Sequence, residues 1–446
     1  MMFKHANWYI KLLAIGFLGL LAYLPFHALI STWLISNFGH ATFFKSFKEL
    51  ILLGILLPFC IIAIYKNPQI LKDIWARLIN KLIFAYVALN CLLVLIMHNA
   101  TRAEMAGLVF NLRFFAMFML AQVIIAKISS KKFQEFSLRF IFWGGLFVVT
   151  FGALQFLVLP HDFLRHFGYS ARIIPPYFTV DNNQNYIRIL SALRGPNVLG
   201  AYLVFWLPFL LLVTKRMWPV AKKFRIWAGV TWFASLVTLF GTRSRSAWLG
   251  AAIALVVSIA LIINKKQQKQ FIYALCAIFV GIFAAICLTW SSNFIQTTLW
   301  HRDPTELSNI NSDDKRQNSL SSSLKAITNK PFGYGTGSVN IASTYGAKPV
   351  VVEDYYLQIA QELGIIGLVI LIAIIVLVAI KLWQQRQNDI AVALIAGLVG
   401  ISVVNLLLPA WGDETLSMLW WGMAGLVVFT KLPVSIKKTN KKLPVK

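Results

Sequence analysis

The chain has 446 residues, of which 58% are hydrophobic and 13% charged, and its mean hydropathy is +0.70. This composition is typical of a polytopic membrane protein and excludes a soluble multidomain enzyme. The formal net charge is +26, but the basic residues lie mostly in short clusters between apolar runs. Such clusters indicate membrane orientation and argue against binding of nucleic acid. We therefore expect one integral membrane domain over residues 1–446.

The first apolar run follows a basic amino-terminal end and lacks a small-residue cleavage site, so we interpret it as a span that stays attached. Apolar segments near the length needed to cross a bilayer, about 20 residues, recur along the chain. The predicted fold is an all-α bundle of about 12 transmembrane helices. The predicted spans are Tyr9–Leu29, Leu50–Tyr65, Leu82–Met97, Met105–Ile125, Phe140–Leu159, Asn197–Val213, Ile226–Gly241, Ala247–Ile263, Phe271–Trp290, Tyr356–Ala379, Ile390–Leu408 and Leu416–Phe429.

The distribution of lysine and arginine predicts the orientation of the chain, because these residues are retained in the cytoplasm. With the amino terminus inside, 26 of the 42 basic residues fall in cytoplasmic segments, 15 fall outside and Arg113 lies within a span. The opposite orientation would invert this bias. We expect a multi-pass protein of the cytoplasmic membrane with both termini in the cytoplasm.

This orientation places three polar segments on the outer face: residues 161–195, the short turn 241–246, and the long loop 291–354 between the ninth and tenth spans. The long loop is too polar to cross a bilayer and must lie in water against the membrane spans. We predict that this large extracytoplasmic loop covers a site at the membrane surface.

Arg243 and Arg245 lie in TRSRS, a turn so short that both guanidinium groups must sit at the membrane surface or in a cavity between helices. The planar guanidinium suits phosphate oxygens, so the pattern favours anion binding. Snorkelling at a helix end is the alternative.

Arg188 and Arg194 precede the sixth span, and Gly195–Asn197 is typical of a turn that opens a helix. If this segment folds over the turn at residues 241–246, the four arginines form one basic pocket that matches a pyrophosphate. Four separately solvated arginines are the alternative. Arg113, inside a span, should face the bundle interior and meet either a structural partner or substrate.

Glu353 and Asp354 stand directly before the tenth span. A carboxylate beside a partly apolar cavity could act as a base towards a sugar hydroxyl, whereas acidic residues at a helix start are also ordinary caps. One of the pair could cap while the other acts. Glu362, within the span, is either functional or paired with a polar neighbour. The glycines of Gly333–Gly337 predict a turn.

No metal-binding spacing of histidines and no CxxC pair occurs in the sequence, so we expect no metal and no cofactor. The competing class of protein is a polysaccharide or lipid transporter or flippase. Such proteins place polar features near the bilayer midplane, often in repeated halves. Here the charge is predicted at one face, under the long loop, which favours an enzyme.

Four segments carry a resemblance to a known family: LRGPNVLGAYL, TRSRSAWLGA, KAITNKPFGYGTGSVN and EDYYLQIAQELGIIG. In this order they resemble the O-antigen ligase and O-antigen polymerase superfamily of bacterial membrane glycosyltransferases. The resemblance implies metal-independent, inverting transfer of a glycan from an undecaprenyl-pyrophosphate-linked oligosaccharide donor to a glycan or glycolipid acceptor. It also implies that Arg194, with Arg243 or Arg245, binds the donor pyrophosphate.

Ligases of this family usually carry a histidine-asparagine pair where this chain has Glu353 and Asp354. The difference favours a polymerase, or a ligase whose acceptor is not lipopolysaccharide. The resemblance also suggests two further partners, membrane lipid and a chain-length regulator. The predicted mechanism uses the arginines to hold the leaving pyrophosphate and a loop carboxylate to activate the acceptor hydroxyl.

Overall fold

The computed structural model describes residues 6–97, 101–180, 183–220, 222–264, 312–346 and 349–430, with scattered positions between 266 and 292. The described chain is almost entirely helical. In order the helices are α1 (Trp8–Tyr23), α2 (His27–Phe38), α3 (Ala41–Lys45), α4 (Phe47–Glu49), α5 (Leu57–Tyr65), α6 (Pro68–Trp75), α7 (Leu78–Met97), α8 (Thr101–Ile125), α9 (Ser130–Leu157), α10 (Pro196–Met217), α11 (Lys222–Gly241), α12 (Arg245–Ile262), α13 (Ser312–Asn329), α14 (Asn340–Ser343), α15 (Tyr355–Gln384), α16 (Asp389–Asn405) and α17 (Glu414–Val428).

Nine helical segments within these described ranges are long and apolar enough to cross a membrane. The predicted all-α polytopic class is therefore confirmed. The eleventh and twelfth predicted spans correspond to α16 and α17, which are shorter, at 17 and 15 residues. The predicted ninth span, Phe271–Trp290, and much of the loop 291–354 lie outside the described residues, so the number of 12 spans stays a prediction.

The first span is longer than its apolar pattern predicted, because α1 continues through a short 3-10 turn into α2 and ends at Phe38. Pro25 stands at the start of that 3-10 turn, where its missing backbone N–H costs least. A π-helical turn, Leu50–Leu56, likewise joins α4 to α5. The second predicted span therefore begins earlier, at Phe47.

The centre of the bundle is α17, in which every residue is buried. Helices α8, α10 and α16 pack against it, and α12 packs in turn against α10 and α16, where two glycines allow close approach. A Cβ on Gly250 would lie 2.5 Å from Val404 Cγ2, and a Cβ on Gly400 would lie 2.5 Å from the carbonyl oxygen of Gly250. Small residues at such contacts are the usual basis of helix association in membranes.

The segment between α9 and α10 contains a two-stranded antiparallel sheet, β1 (Phe178–Val180) and β2 (Asn183–Arg188), in which Phe178 pairs with Arg188. The end of β2 lies against the turn between α11 and α12. The backbone N–H of Ile189 donates to the carbonyl of Gly241 at 3.0 Å. The two segments that carry the predicted arginines, residues 161–195 and 241–246, are thus in contact.

Helix α15 is broken at Gly364, whose φ of 71° and ψ of −179° interrupt the helical hydrogen bonds. The glycine turn at residues 331–337 fills the break. The N–H groups of Tyr334 and Gly335 donate to the carbonyls of Gln361 and Glu362, at 2.7 and 3.0 Å. The N–H of Ile365 donates to the carbonyl of Pro331 at 2.9 Å. Backbone groups freed inside a membrane need such partners, and here the loop supplies them.

Candidate functional site

A cavity of about 560 Å³ lies where the segment between α9 and α10 meets the helix bundle. Its wall combines α8, the start of α10, the loop around α14, the start of α15 and the turn before α17. The polar side chains that line it include Arg188, Arg194, Asn340, Gln358, Glu362 and Asp413. Parts of the chain that are far apart in sequence therefore face one space.

Arg188 is held at this cavity by two hydrogen bonds from its guanidinium group. Nε donates to the carbonyl of Thr242 at 2.8 Å, and Nη2 donates to Asn197 Oδ1 at 2.6 Å. The first bond joins the end of β2 to the turn 241–246, and the second joins it to the opening turn of α10. Arg188 is therefore fixed in orientation by both segments.

Arg194 is the most strongly paired of the predicted arginines. Its Nε lies 3.2 Å from Asp413 Oδ2 and its Nη1 lies 3.2 Å from Glu414 Oε2, while 28% of the side chain is exposed. Burial opposes the charged form, but Glu414 and Asp413 outweigh this effect and raise the pKa of Arg194. The two carboxylates thus hold the guanidinium through Nε and Nη1, and part of the side chain is open to the cavity.

A buried network of charges lies beneath Arg194. Glu414 Oε2 also lies 3.5 Å from Arg113 Nη2, and Arg113 Nη1 donates to Glu49 Oε1 at 2.9 Å. Lys48 Nζ lies 3.1 Å from Glu49 Oε2 and 3.8 Å from Glu414 Oε1. Loss of one member of a buried ion pair typically costs about 3–5 kcal/mol, so the network resists change at the base of the site. Arg113 faces the bundle interior, as predicted.

Arg243 takes a positive φ of 47° in the turn between α11 and α12. Its Nε donates to the carbonyl of Ile187 at 3.1 Å, and its guanidinium carbon lies 5.1 Å from the centre of the Tyr186 ring. Burial lowers the pKa of Arg243, with an opposing contribution from Tyr186. Its Nη1 is buried and has no hydrogen-bond partner among the described residues. Such a nitrogen can donate a hydrogen bond to an anionic ligand.

Arg245 is the first residue of α12 and is not among the residues that line the 560 Å³ cavity. The structure therefore brings Arg188 and Arg194 to one cavity. It places Arg243 against the strand that carries Arg188. Arg243 and Arg245 do not contribute to the wall of that cavity.

Glu353 and Asp354 line a different cavity, of about 380 Å³, together with part of α13. Glu353 Oε2 accepts a hydrogen bond from Arg316 Nε at 2.8 Å, and Asp354 Oδ1 caps α15 by accepting from the N–H of Leu357 at 2.8 Å. Burial raises the pKa of Asp354 against the effect of hydrogen bonds from Leu357 and Tyr356. In this conformation both carboxylates have local partners.

Glu362 lies at the wall of the 560 Å³ cavity and is only 1% exposed. It accepts a hydrogen bond from Asn111 Nδ2 at 2.8 Å, and others from the Gln358 side chain and the backbone of Gly337 and Val339. A carboxylate bound to this many donors holds elements together. It ties α8 and the glycine turn to α15.

Sequence reasoning missed Lys48, Glu49, Asp413 and Glu414. Each is a charged residue next to an apolar run, in KSFKELILL and PAWGDETLSM. A charge at such a position can be solvated at a helix end, so local sequence alone does not reveal that these groups pair across the bundle. The sequence feature that could have indicated these residues is Arg113, because an arginine within a membrane span needs polar or acidic partners in the bundle.

Chemically, the cavity offers two arginines for an anion and an acidic group beside them. Asp413 Oδ1 caps α17 by accepting from the N–H of Leu416 at 3.0 Å, whereas the buried Oδ2 faces Arg194 Nε at 3.2 Å. Burial and the neighbouring Glu414 raise the pKa of Asp413, against the opposing effect of Arg194. Asp413 is thus a carboxylate with proton-accepting capacity at the cavity wall.

Comparison with known protein families finds a match in the carboxy-terminal half of the chain. Residues 230–372 match the family described as O-antigen ligase. The matched region includes Arg243, Arg245, Glu353 and Asp354, and excludes Arg188 and Arg194. The match confirms the resemblance predicted from the sequence. No curated protein matches the chain.

Proposed function

We propose that this protein transfers or polymerises undecaprenyl-pyrophosphate-linked glycan units on the outer face of the cytoplasmic membrane. The match of residues 230–372 to the family described as O-antigen ligase supports this proposal. In this proposal the donor pyrophosphate binds at the 560 Å³ cavity, against Arg188 and Arg194. The reaction is an inverting transfer that uses no metal. A polymerase is favoured over a ligase, because Glu353 and Asp354 replace the histidine-asparagine pair usual in ligases.

The proposal rests above all on one observation. Arg188 and Arg194 line a single cavity, and residues 339–342, 344, 349 and 351 of the long loop form another part of its wall. Two carboxylates fix the orientation of Arg194 through Nε and Nη1, and 28% of the side chain is exposed. Planar guanidinium groups held in this way suit phosphate oxygens. Arg243, with its unpartnered Nη1, is proposed as a further anion-binding group beside this cavity rather than in its wall. Arg245 stays a candidate from the sequence.

In the proposed step the acceptor hydroxyl oxygen attacks the anomeric carbon of the donor sugar while the bond from that carbon to the pyrophosphate oxygen breaks. The hydroxyl proton passes to a carboxylate, and the lipid pyrophosphate leaves with the bonding electron pair. Developing negative charge on the leaving group is stabilised by the fixed arginines. The glycan is joined to the acceptor with inverted configuration.

Three carboxylates are proposed as proton acceptors. Glu353 would have to exchange its bond to Arg316 for one to the acceptor, and Asp354 already caps α15. Of the three, Asp413 is the one that lines the cavity, although its Oδ2 would have to exchange its 3.2 Å contact with Arg194 Nε for one to the acceptor. We therefore place Asp413 first, Glu353 second and Asp354 third.

The test is transfer by purified protein in detergent or nanodiscs, with a polyprenyl-pyrophosphate oligosaccharide, followed by separation of the products by length. We expect longer glycans with inverted linkages, in chelator as well as in added magnesium. Failure of transfer together with movement of the intact lipid-linked substrate across vesicles would support the flippase alternative. Loss of wild-type activity in chelator would contradict the metal-independent scheme.

A further inference from the structure

A second cavity, of about 1030 Å³, adjoins the one that carries the proposed donor site. Arg194, Phe110, Phe178, Ile341 and Thr344 line both. The wall of the larger cavity comes mainly from α2, α3, α8 and the segment before β1. A transferase needs two substrates whose reacting atoms meet, and the two cavities meet at Arg194.

The charges of the two cavities differ. The smaller is lined by two arginines and two carboxylates, Glu362 and Asp413. The larger is lined by five cationic side chains, Lys45, Lys48, Arg102, Arg113 and Arg194, and by two carboxylates, Glu49 and Glu414. With His27 counted as neutral, the larger cavity carries an excess of three positive charges.

This excess is concentrated away from the floor of the larger cavity. Lys48, Arg113 and Arg194 are balanced by Glu49, Asp413 and Glu414 in the buried network described above. Lys45 and Arg102, in contrast, are exposed and have no ion-pair partner within the described residues. A neutral floor and a cationic rim suit a ligand with one anionic end.

The same cavity offers polar and apolar surface for the rest of such a ligand. Arg113 is 2% exposed, and its Nε has no hydrogen-bond partner in the described chain, so a sugar hydroxyl could accept from it. Met105, Val109 and Pro175 supply apolar wall between the floor and the rim. A lipid-linked glycan combines these three kinds of surface.

We infer that the 1030 Å³ cavity is the acceptor subsite, and that Lys45 and Arg102 bind the phosphate groups of a second lipid-linked glycan. This inference rests on the proposed function and extends it. It predicts an acceptor that is itself anionic, as a growing polymer requires when each new unit arrives on a phosphorylated lipid. The donor and acceptor would then share Arg194 at the boundary between the cavities.

The first test measures binding and needs no turnover. Wild-type protein should bind about two equivalents of a short-chain prenyl pyrophosphate in calorimetry, and the Lys45→Ala/Arg102→Ala double variant should bind about one. Inorganic pyrophosphate forms the second arm, which separates recognition of a lipid headgroup from recognition of free phosphate. Lys325→Ala is the matched control, because Lys325 is exposed on α13 and lines neither cavity. Two equivalents retained by the double variant would overturn the inference.

The second test separates acceptor from donor kinetics. A donor whose own accepting hydroxyl has been removed is combined with one oligosaccharide acceptor in two forms, a prenyl pyrophosphate and a neutral alkyl glycoside. In the double variant we expect KM for the charged acceptor to rise roughly tenfold or more, as loss of a charged hydrogen bond predicts, with the neutral acceptor and the donor little changed.

Each other outcome has a distinct meaning. A rise in the donor KM alone would assign the larger cavity to the donor and contradict the inference. An equal rise in KM for both acceptors would show that Lys45 and Arg102 act only structurally. That result would also contradict the inference. Absence of transfer by the wild-type protein would instead remove the proposed function, and the binding test would still report on the second anion site.

Discussion

Arg194 occupies the boundary between two cavities and is oriented by two carboxylates, so its geometry matters as much as its charge. Lysine at this position would keep the charge but could not bridge Asp413 and Glu414 through two nitrogen atoms. We expect Arg194→Lys to lower transfer nearly as far as Arg194→Ala, by about 10- to 150-fold, from a charged hydrogen bond of about 1.5–3 kcal/mol. The measurement is initial rate at equal membrane abundance.

Arg165→Lys is the control for Arg194→Lys, because the Arg165 side chain is 65% exposed and pairs only with Asp162 at 3.3 Å among the described residues. It should behave like the wild-type protein. Near wild-type transfer by both Arg194 variants, at normal abundance, would return the arginine to a structural role.

The choice among the proposed bases is a second prediction at the scale of single residues. A general base typically contributes about 10²–10⁴-fold, so Asp413→Asn should reduce kcat by about that factor while asparagine still caps α17. Glu353→Gln and Asp354→Asn should have smaller effects on kcat. Glu414→Gln is the matched control, because it also removes a partner of Arg194. It should raise the donor KM more than it lowers kcat.

The pH profile distinguishes a base from a residue that only positions Arg194. A base acts when ionised, so activity should fall as pH decreases through the pKa of Asp413, which burial and Glu414 raise above its ordinary value. The residual activity of Asp413→Asn should lack this acidic limb. Persistence of the limb in Asp413→Asn and its loss in Glu353→Gln would transfer the role to Glu353.

Part of this site was predictable from the sequence and part was not. Arg188 and Arg194 stand in a polar segment beside a helix-opening turn, so both their chemistry and their approximate position follow from local sequence. The pairing of Arg194 with Asp413 and Glu414 joins residues more than 200 positions apart, and a single sequence contains no signal for that choice of partner. Lys48 and Glu49 were not predicted for the same reason, because their partners Arg113 and Glu414 lie in distant parts of the sequence.

At the scale of elements, the break in α15 shows how the long loop is attached to the bundle. A Cβ on Gly364 would lie 2.6 Å from the carbonyl oxygen of Pro331. The backbone conformation of Gly364, with φ of 71° and ψ of −179°, is itself unfavourable for alanine by about 1–3 kcal/mol. We expect Gly364→Ala to lower the melting temperature in detergent by several degrees and to reduce transfer. The measurement is thermal unfolding followed by tryptophan fluorescence.

Gly229→Ala supplies the comparison for the variant at the break, because no atom lies within 4 Å of the Cβ position of Gly229 in helix α11. Alanine in a helix interior is favoured over glycine by about 0.5–1 kcal/mol, so this variant should be unchanged or slightly more stable. Equal melting temperatures for Gly364→Ala and the wild-type protein would show that the break is not required.

Apolar runs predicted most helices, since the need to satisfy backbone groups in a bilayer leaves few alternatives to a helix. The break was not predicted, because LGIIG in α15 is as apolar as the helix around it and a glycine there is compatible with continuous helix. The turn predicted for Gly333–Gly337 is present, but its partner, the interrupted helix, lies in a different part of the sequence. Elements were therefore easier to predict than their interruptions.

At the scale of the whole molecule, the charge distribution predicts that residues 291–354 face outwards and that both termini face the cytoplasm. In a background with all four cysteines replaced by alanine, Ser321→Cys should react with an impermeant maleimide added to intact cells, because Ser321 is exposed on α13. Lys441→Cys should react only after the membrane is permeabilised. The reverse pattern would overturn the orientation and the location of the proposed site.

The contact between the glycine turn and α8 also bears on how the protein is made. A Cβ on Gly107 would lie 2.4 Å from Gly337, so these two backbones touch although 230 residues separate them. At a synthesis rate of about 5–20 residues per second, the earlier helix leaves the ribosome roughly 10–50 s before its partner exists. During that interval the outer end of α8 lacks its packing surface, and Asn111, which bonds to Glu362, lacks its acceptor. Chains truncated before residue 331 would lack both contacts permanently, so this end of α8 would stay without its packing partner.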